Sequence, residues 1–122
     1  MKLKVNANNE YAFTPDIGDN RKLPDGERFV VMLRRLNQTL HSGKWSAFGM
    51  DGTVSVDLKT KIRDHIIELK RPPVIDDGAT QKELTVEMLL SDRYSELDDL
   101  VNQILAEINS MAPRRLNVDP KK

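Results

Sequence analysis

The chain has 122 residues, enough for one domain but too few for two independent cores. It contains no cysteine, which excludes disulfides, thiolate metal sites and a cysteine nucleophile. The 19 basic and 19 acidic side chains cancel to a formal net charge of zero, so no global charge draws the protein onto nucleic acid or an anionic membrane.

Apolar residues make up 39% of the chain and charged residues 31%, a balance that favours either mobile segments or surface that is covered only in a complex. No apolar run approaches the ~20 residues that cross a bilayer. Residues 1–9 contain no hydrophobic signal region. We therefore expect a protein that stays in the cytoplasm, spans no membrane and is not exported.

Three strands are predicted in the first third of the chain. Residues 2–6 and 10–14 each alternate apolar and polar side chains, as short strands do. Residues 15–26 hold two prolines, two glycines and an asparagine, which predicts a surface loop. Residues 27–35 carry apolar side chains on both faces, which is typical of a central strand.

Residues 37–52 are rich in glycine and predict a loop, in which Trp45 and Phe48 need cover from neighbouring elements. The Asp-Gly pair at 51–52 predicts a hairpin turn. Residues 53–58 alternate again, so we expect a half-buried strand that returns to the sheet.

The periodicity then changes to that of a helix. Apolar residues recur at spacings of four, four and three: Leu58, Ile62, Ile66 and Leu69. This predicts a helix over residues 59–70, ended by Pro72 and Pro73. Residues 74–82 are mostly polar and contain an Asp-Gly pair, which predicts a connector without regular structure.

The C-terminal part predicts two further helical segments. Thr85 and Ser91 are good capping residues, so we expect a short helical turn over 86–90 and the main helix over 92–111. Pro113 ends this helix.

The main helix carries a continuous apolar stripe. Its members are Leu90, Tyr94, Leu97, Val101, Ile104, Ile108 and Met111. A helix of twenty residues is ~30 Å long, about the diameter of a small domain, so a small core could leave part of the stripe uncovered. Two uses follow: the stripe covers the protein's own sheet, or part of it binds another protein.

These elements predict an α+β fold, in which a small, mainly antiparallel sheet is packed by two helices, the C-terminal one long and amphipathic. The domain spans residues 1–113. Residues 114–122 form a basic tail with few anchors, which we expect to be disordered.

Chemical motifs give no indication of an enzyme, a metal site or a cofactor. His41 and His65 lack a second ligand at the spacing of a zinc helix. Residues 42–44 lack the rest of a phosphate-binding loop, and residues 16–20 lack the later ligands of a calcium loop. The adjacent carboxylates at 98–99 point in different directions from a helix, unlike a catalytic pair.

Nucleic-acid binding is the alternative function. Several basic residues could converge, with Trp45 available for base stacking: Arg34, Arg35, Arg63, Lys70, Arg71, Arg114 and Arg115. The zero net charge weighs against this alternative.

The order of features in the second half resembles that of small tail-assembly proteins of long-tailed bacteriophages. The features are HIIEL at 65–69, the DDG turn at 76–78, ELT at 83–85, the leucine pair at 89–90 and a helix ending over 104–111. In such proteins a polar turn is followed by a strand rich in valine, and LPDGERFVV at residues 23–31 is similar to that part. The resemblance covers residues 10–111.

The resemblance implies a chaperone-like tail assembly factor, or a structural component of the virion. Its partner would be the tape-measure or tail-tube protein, with homo-oligomers as a further form of association, and it would act in the host cytoplasm or within the particle. Tail-assembly chaperones are often largely helical, whereas the first 58 residues here predict strands and loops.

We predict that the C-terminal helix makes the protein contacts. The residues expected to supply apolar area are Leu97, Val101, Ile104, Leu105 and Ile108. Those expected to set the register at the rim are Asp98, Asp99 and Glu107.

Overall fold

The computed structural model describes residues 1–5, 9–37, 44–47, 50–53, 57–111 and 117–118, with 44–47, 50–53 and 117–118 described by their backbone alone. The strands are β1 (Leu3–Lys4), β2 (Glu10–Phe13), β3 (Val30–Arg34), β4 (Lys44–Ala47), β5 (Met50–Thr53), β6 (Ile66–Lys70), β7 (Val74–Asp76), β8 (Gln81–Glu83) and β9 (Asn117–Val118). The helices are α1 (Leu58–His65), α2 (Val86–Leu89) and α3 (Asp98–Ser110), with one-turn 3-10 helices at Asn20–Lys22 and Ser95–Leu97. The α+β class is confirmed.

The central sheet is antiparallel and has the strand order β2-β3-β6. Its middle strand is β3, as the apolar character of residues 27–35 predicts. Val31 and Leu33 are fully buried on one face, and Val30 is buried on the other. The remaining described strands form two-stranded ladders: β1-β9, β4-β5 and β7-β8.

The predicted helix over residues 59–70 is wrong in its second part. Asp57 accepts a hydrogen bond from the Lys59 backbone N–H at 3.0 Å and caps α1, but the helix ends at His65. Residues 66–70 form β6, which pairs with β3. The stretch begins with two isoleucines, whose β-branched side chains favour strands. A strand at this position also forms hydrogen bonds with the edge of β3 that β2 does not use.

The predicted loop over 37–52 is wrong at residues 44–47 and 50–52, which lie in the paired strands β4 and β5, and the predicted strand over 53–58 is tested only at its two ends. Residues 51–52 lie within β5 and pair with β4, so they do not form the hairpin turn. Of the predicted strand over 53–58, Thr53 ends β5 and Leu58 begins α1. Residues 54–56 lie outside the described residues, as do Phe48 and the side chain of Trp45.

The polar segment 74–82 is a hairpin rather than an irregular connector. Strands β7 and β8 pair antiparallel, and the predicted Asp-Gly turn joins them. Gly78 has a φ of +87°, a conformation that favours glycine. Asp76 and Asp77 stabilise the turn by accepting hydrogen bonds from the backbone N–H groups of Gly78, at 2.9 Å, and Thr80, at 2.7 Å.

The short helical turn is confirmed as α2, whose cap Thr85 accepts a hydrogen bond from the Met88 N–H at 3.3 Å. The main helix is shorter than predicted. Ser91 bonds to the N–H of Arg93 rather than capping a long helix, and Tyr94 has non-helical dihedrals of −110° and 78°. Helix α3 therefore has 13 residues and a length of about 20 Å.

Within the segment predicted as a tail, Asn117 and Val118 form β9 and pair with β1. The rest of 112–122 lies outside the described residues.

In the predicted loop 15–26, Asn20 is buried. Its side chain donates to the carbonyl oxygens of Pro15 and Phe29 and accepts from the Phe29 N–H, so it fixes the loop against β3.

One hydrophobic core joins the sheet to the helices. Its buried members are Phe13, Phe29, Val31, Leu33, Ile62, Ile66, Leu84, Leu89, Leu90, Leu100, Ile104, Ile108 and Met111. The core therefore lies between the sheet and α1, α2 and α3, and α3 contributes three of these side chains along its own length.

Candidate protein-binding surface

The structure divides the predicted contact residues of α3 by burial. Ile104 and Ile108 are fully buried in the core of the single chain, where a partner cannot touch them. Leu97, Val101 and Leu105 are half-buried against that core. Only these three of the predicted apolar contacts retain accessible area for another protein.

The predicted rim carboxylates accept hydrogen bonds within the chain. Asp98 accepts from the Asn102 side chain at 3.1 Å, and Asp99 accepts from the Gln103 side chain at 3.1 Å. Glu107 accepts a hydrogen bond from the Tyr11 hydroxyl at 3.2 Å. Of these three, Asp98 also lines an open groove, described next.

Two grooves flank Tyr94. The larger, which we name the hairpin groove, has a volume of about 600 Å³ and lies between the hairpin and the segment before α3. It is lined by Val74, Ile75, Asp76, Asp77, Ala79, Arg93, Tyr94, Glu96 and Leu97. Apolar side chains from both walls therefore border one open surface.

The smaller, which we name the helix groove, has a volume of about 280 Å³. It is lined by Leu58, Lys59, Ile62, Leu89, Leu90, Ser91, Asp92, Tyr94, Ser95, Asp98 and Val101. Lys59 and Asp92 form an ion pair of 3.5 Å at its edge. Both side chains are exposed, so this pair contributes little to stability.

Tyr94 is half-buried and lines both grooves because the chain leaves the helical conformation there. The backbone between α2 and the 3-10 turn holds the ring between the grooves, and the Arg93 guanidinium lies 5.5 Å from the ring centroid. Aromatic side chains with arginine beside them are the residue types that most often dominate the energy of protein interfaces. We name Tyr94 and the two grooves together the Tyr94 surface.

The hairpin groove is acidic. Its lining contains three carboxylates, Asp76, Asp77 and Glu96, against one cation, Arg93. Backbone hydrogen bonds from Thr80 and Ala79 lower the pKa of the Asp77 carboxyl below its ordinary value, so this charge persists at neutral pH. The groove therefore combines apolar walls with a negative rim.

The sequence-based prediction missed one wall of the hairpin groove, because it assigned residues 74–82 to a connector. Val74 and Ile75 are adjacent β-branched residues between a proline pair and an Asp-Gly turn, which is a hairpin signal. Strands of three residues are too short for alternation to be evident. The apolar stripe includes Tyr94 but predicts it within the helix, whereas its backbone is non-helical.

Two of the basic pairs of the alternative function lie apart, whereas the third, Arg114 and Arg115, lies outside the described residues. Arg34 is opposite Glu10 at one end of β3, and Lys70 is opposite Val30 at the other. At ~3.4 Å per residue, these ends are about 14 Å apart. Arg63, on α1, forms an ion pair of 3.9 Å with Glu87.

The remaining candidate residues give no reactive site in the part of the chain that the structure describes. His65 is fully buried at the end of α1, with Nδ1 2.6 Å from the Lys61 carbonyl oxygen. His41 and residues 42–43 lie outside the described ranges. Within those ranges, no three His, Cys, Asp or Glu side chains group as metal ligands would, and no helix is long and apolar enough to cross a membrane.

Comparisons of the chain with protein-family models, with curated proteins and with solved structures gave no match.

Proposed function

We propose that this protein is a non-enzymatic protein-interaction module that binds its partner through the Tyr94 surface. The observation that carries the proposal is the placement of Tyr94, Leu97 and Val101 along two open grooves, each side chain half-buried and half available. When a partner binds, the exposed part of half-buried aromatic and aliphatic side chains in a concave surface becomes buried as well, and this burial of apolar area stabilises the complex.

The resemblance to tail-assembly proteins extends this proposal to a biological role. We propose a bacteriophage tail assembly factor or a structural virion component, with the tape-measure or tail-tube protein as partner. The acidic, apolar surface supports a role in protein binding. Among the described residues the nucleic-acid alternative has no comparable support, because Arg34 and Lys70 lie at opposite ends of β3.

The proposal is tested by light scattering after size exclusion, with the purified chain alone and mixed with tape-measure or tail-tube protein from a long-tailed phage. We expect a complex that Tyr94→Ala weakens about tenfold or more, which corresponds to ~1.4 kcal/mol of binding free energy. The matched control is Leu23→Ala. Leu23 is an exposed leucine that lines neither groove, so this variant should bind as wild type does.

Circular dichroism must show that Tyr94→Ala remains folded. A protein that binds neither virion protein would contradict the proposed biological role. A complex that forms equally well with Tyr94→Ala and with wild type would contradict the assignment of the surface.

A further inference from the structure

Among the described residues, strand β7 has one edge without a partner strand, and this edge lies at the hairpin groove. Strand β7 pairs with β8 on one side, and no other described strand pairs with it. Residues of β7 line the groove in succession, whereas no residue of β8 does. The groove therefore lies on the side of β7 that faces away from β8.

The hydrogen-bond pattern shows which backbone groups face this edge. The Leu84 N–H donates to the Pro73 carbonyl at 2.8 Å, and the Asp77 N–H donates to the Thr80 carbonyl at 3.2 Å. In an antiparallel pair, hydrogen-bonded residues alternate with residues whose polar groups point outward. Ile75 is therefore bonded to Lys82, while Val74 and Asp76 turn their N–H and C=O groups away from β8.

We propose that this edge binds an extended segment of a partner protein, in which apolar and basic side chains alternate, as an added antiparallel or parallel strand. The inference rests on the proposed function and specifies the partner's chemistry. Strand addition satisfies the outward backbone groups of β7, and alternation sends every second side chain to the same face.

The groove determines which side chains the segment carries. Tyr94 and Leu97 form the wall opposite β7 and give its apolar side chains a surface to cover. The three carboxylates along the groove match basic side chains, and Arg93 alone opposes them. Two copies of this chain joined through β7 would bring two acidic grooves together, so charge disfavours that occupant.

The probe is a fluorescein-labelled nonapeptide in which lysine and valine alternate. We expect fluorescence anisotropy to show saturable binding to the full chain, weakened by added salt. Two control peptides test charge and backbone pairing separately. The first carries glutamate in place of lysine and should bind about tenfold or more weakly. The second is the lysine peptide N-methylated at alternate backbone positions, which removes the hydrogen-bond donors of one strand edge. Amide exchange at Val74 and Asp76 should slow when the lysine peptide is added.

Val74→Pro separates edge pairing from side-chain contact. It removes an outward N–H that β8 does not use, and it should weaken peptide binding about tenfold or more. Val74→Ala keeps that N–H and loses most of the exposed side chain, so it should bind within about threefold of wild type. Both variants must unfold in urea at midpoints close to that of wild type.

Three results would overturn the proposal: equal binding of the lysine and glutamate peptides would exclude a basic segment, full affinity in Val74→Pro would exclude pairing with the β7 edge, and a dimer of the free chain that Val74→Pro dissociates would exclude a partner protein. The last result would make a second copy the occupant. If the peptide does not bind but Tyr94→Ala still abolishes the complex with a virion protein, strand addition fails and the proposed function stands.

Discussion

The two halves of α3 belong to one apolar stripe but differ in what covers them. In the second half, Ile104 and Ile108 are fully buried, and Glu107 bonds to Tyr11 on the sheet. In the first half, Val101 is half-buried and borders the helix groove. Leu97, which immediately precedes the helix, borders the hairpin groove. Amphipathic periodicity therefore gives the direction of the buried face, whereas the neighbouring elements determine where along the helix that face is sealed.

The difference also separates two roles. The second half holds the fold together, because its side chains meet the sheet and α1. The first half is anchored by Leu100, which is buried in the core, and it presents the half-buried Val101 near Tyr94. Substitutions in the second half should therefore lower mainly the free energy of unfolding, whereas substitutions of exposed area in the first half should weaken mainly the complex with a partner.

Ile104→Ala should lower the free energy of unfolding by about 2 to 5 kcal/mol, because it leaves a cavity among fully buried neighbours. Urea denaturation followed by circular dichroism measures this loss. A loss below about 1 kcal/mol would show that the second half of α3 is not sealed as described. Ala106→Ser, at an exposed position of the same helix, is the control and should have little effect.

Tyr11→Phe should lower the free energy of unfolding by about 1 kcal/mol at neutral pH, because Glu107 loses its hydrogen-bond donor. Burial and the nearby Glu107 carboxylate raise the pKa of the Tyr11 hydroxyl well above its ordinary value of 10.0. The unfolded chain thus ionises Tyr11 first, and wild type should lose stability as the pH rises above about 10.

Because Tyr11→Phe has no hydroxyl to ionise, it should lack this alkaline loss, and the stability difference from wild type should narrow. Urea denaturation at a series of pH values from neutral to alkaline measures the difference. A constant difference across the series would contradict the raised pKa of Tyr11.

Val101→Ala should lower the free energy of unfolding by less than about 1 kcal/mol, because the side chain is only half-buried. It should nonetheless weaken the complex with a virion protein severalfold, since Val101 borders the helix groove. Paired urea and light-scattering measurements check both values. A variant that is strongly destabilised but binds normally would assign Val101 to the core and not to the interface.

The sequence predicts the central strand well because β3 is apolar on both faces, a pattern that few surface elements share. It fails at residues 66–70 because Ile62, Ile66 and Leu69 satisfy the helical spacing while the same stretch also forms a strand. Single-sequence periodicity cannot choose between them, since the decision depends on the free edge of β3, which is distant in sequence.

The candidate surface is predicted only in part for a similar reason. Leu97 and Val101 follow from the apolar stripe, but the burial of Ile104 and Ile108 depends on how closely the sheet approaches the helix. The opposite wall of the hairpin groove comes from β7, whose three residues carry too little pattern to identify a strand. A groove between distant segments requires the tertiary structure.

Lys61→Met tests the sealed half of α3 with the smallest expected effect. The Lys61 side chain is nearly buried, and its Nζ donates to the Asn109 side chain at 2.5 Å. Desolvation lowers the pKa of this amine below its ordinary value of 10.5, so the charged form is less favourable in the folded protein. Methionine keeps an unbranched side chain, removes the charge and leaves the exposed Asn109 to water.

At neutral pH the variant should therefore be as stable as wild type or more stable by up to about 1 kcal/mol, measured by urea denaturation. Wild type should gain stability as the pH rises from the lowered folded pKa toward 10.5, because the unfolded chain still binds the proton that the folded chain releases. Lys61→Met should lack this gain, so its advantage should shrink over that range. If the variant is instead less stable by several kcal/mol at neutral pH, the bond to Asn109 outweighs desolvation, and the second half of α3 depends on polar contacts as well as on its apolar core.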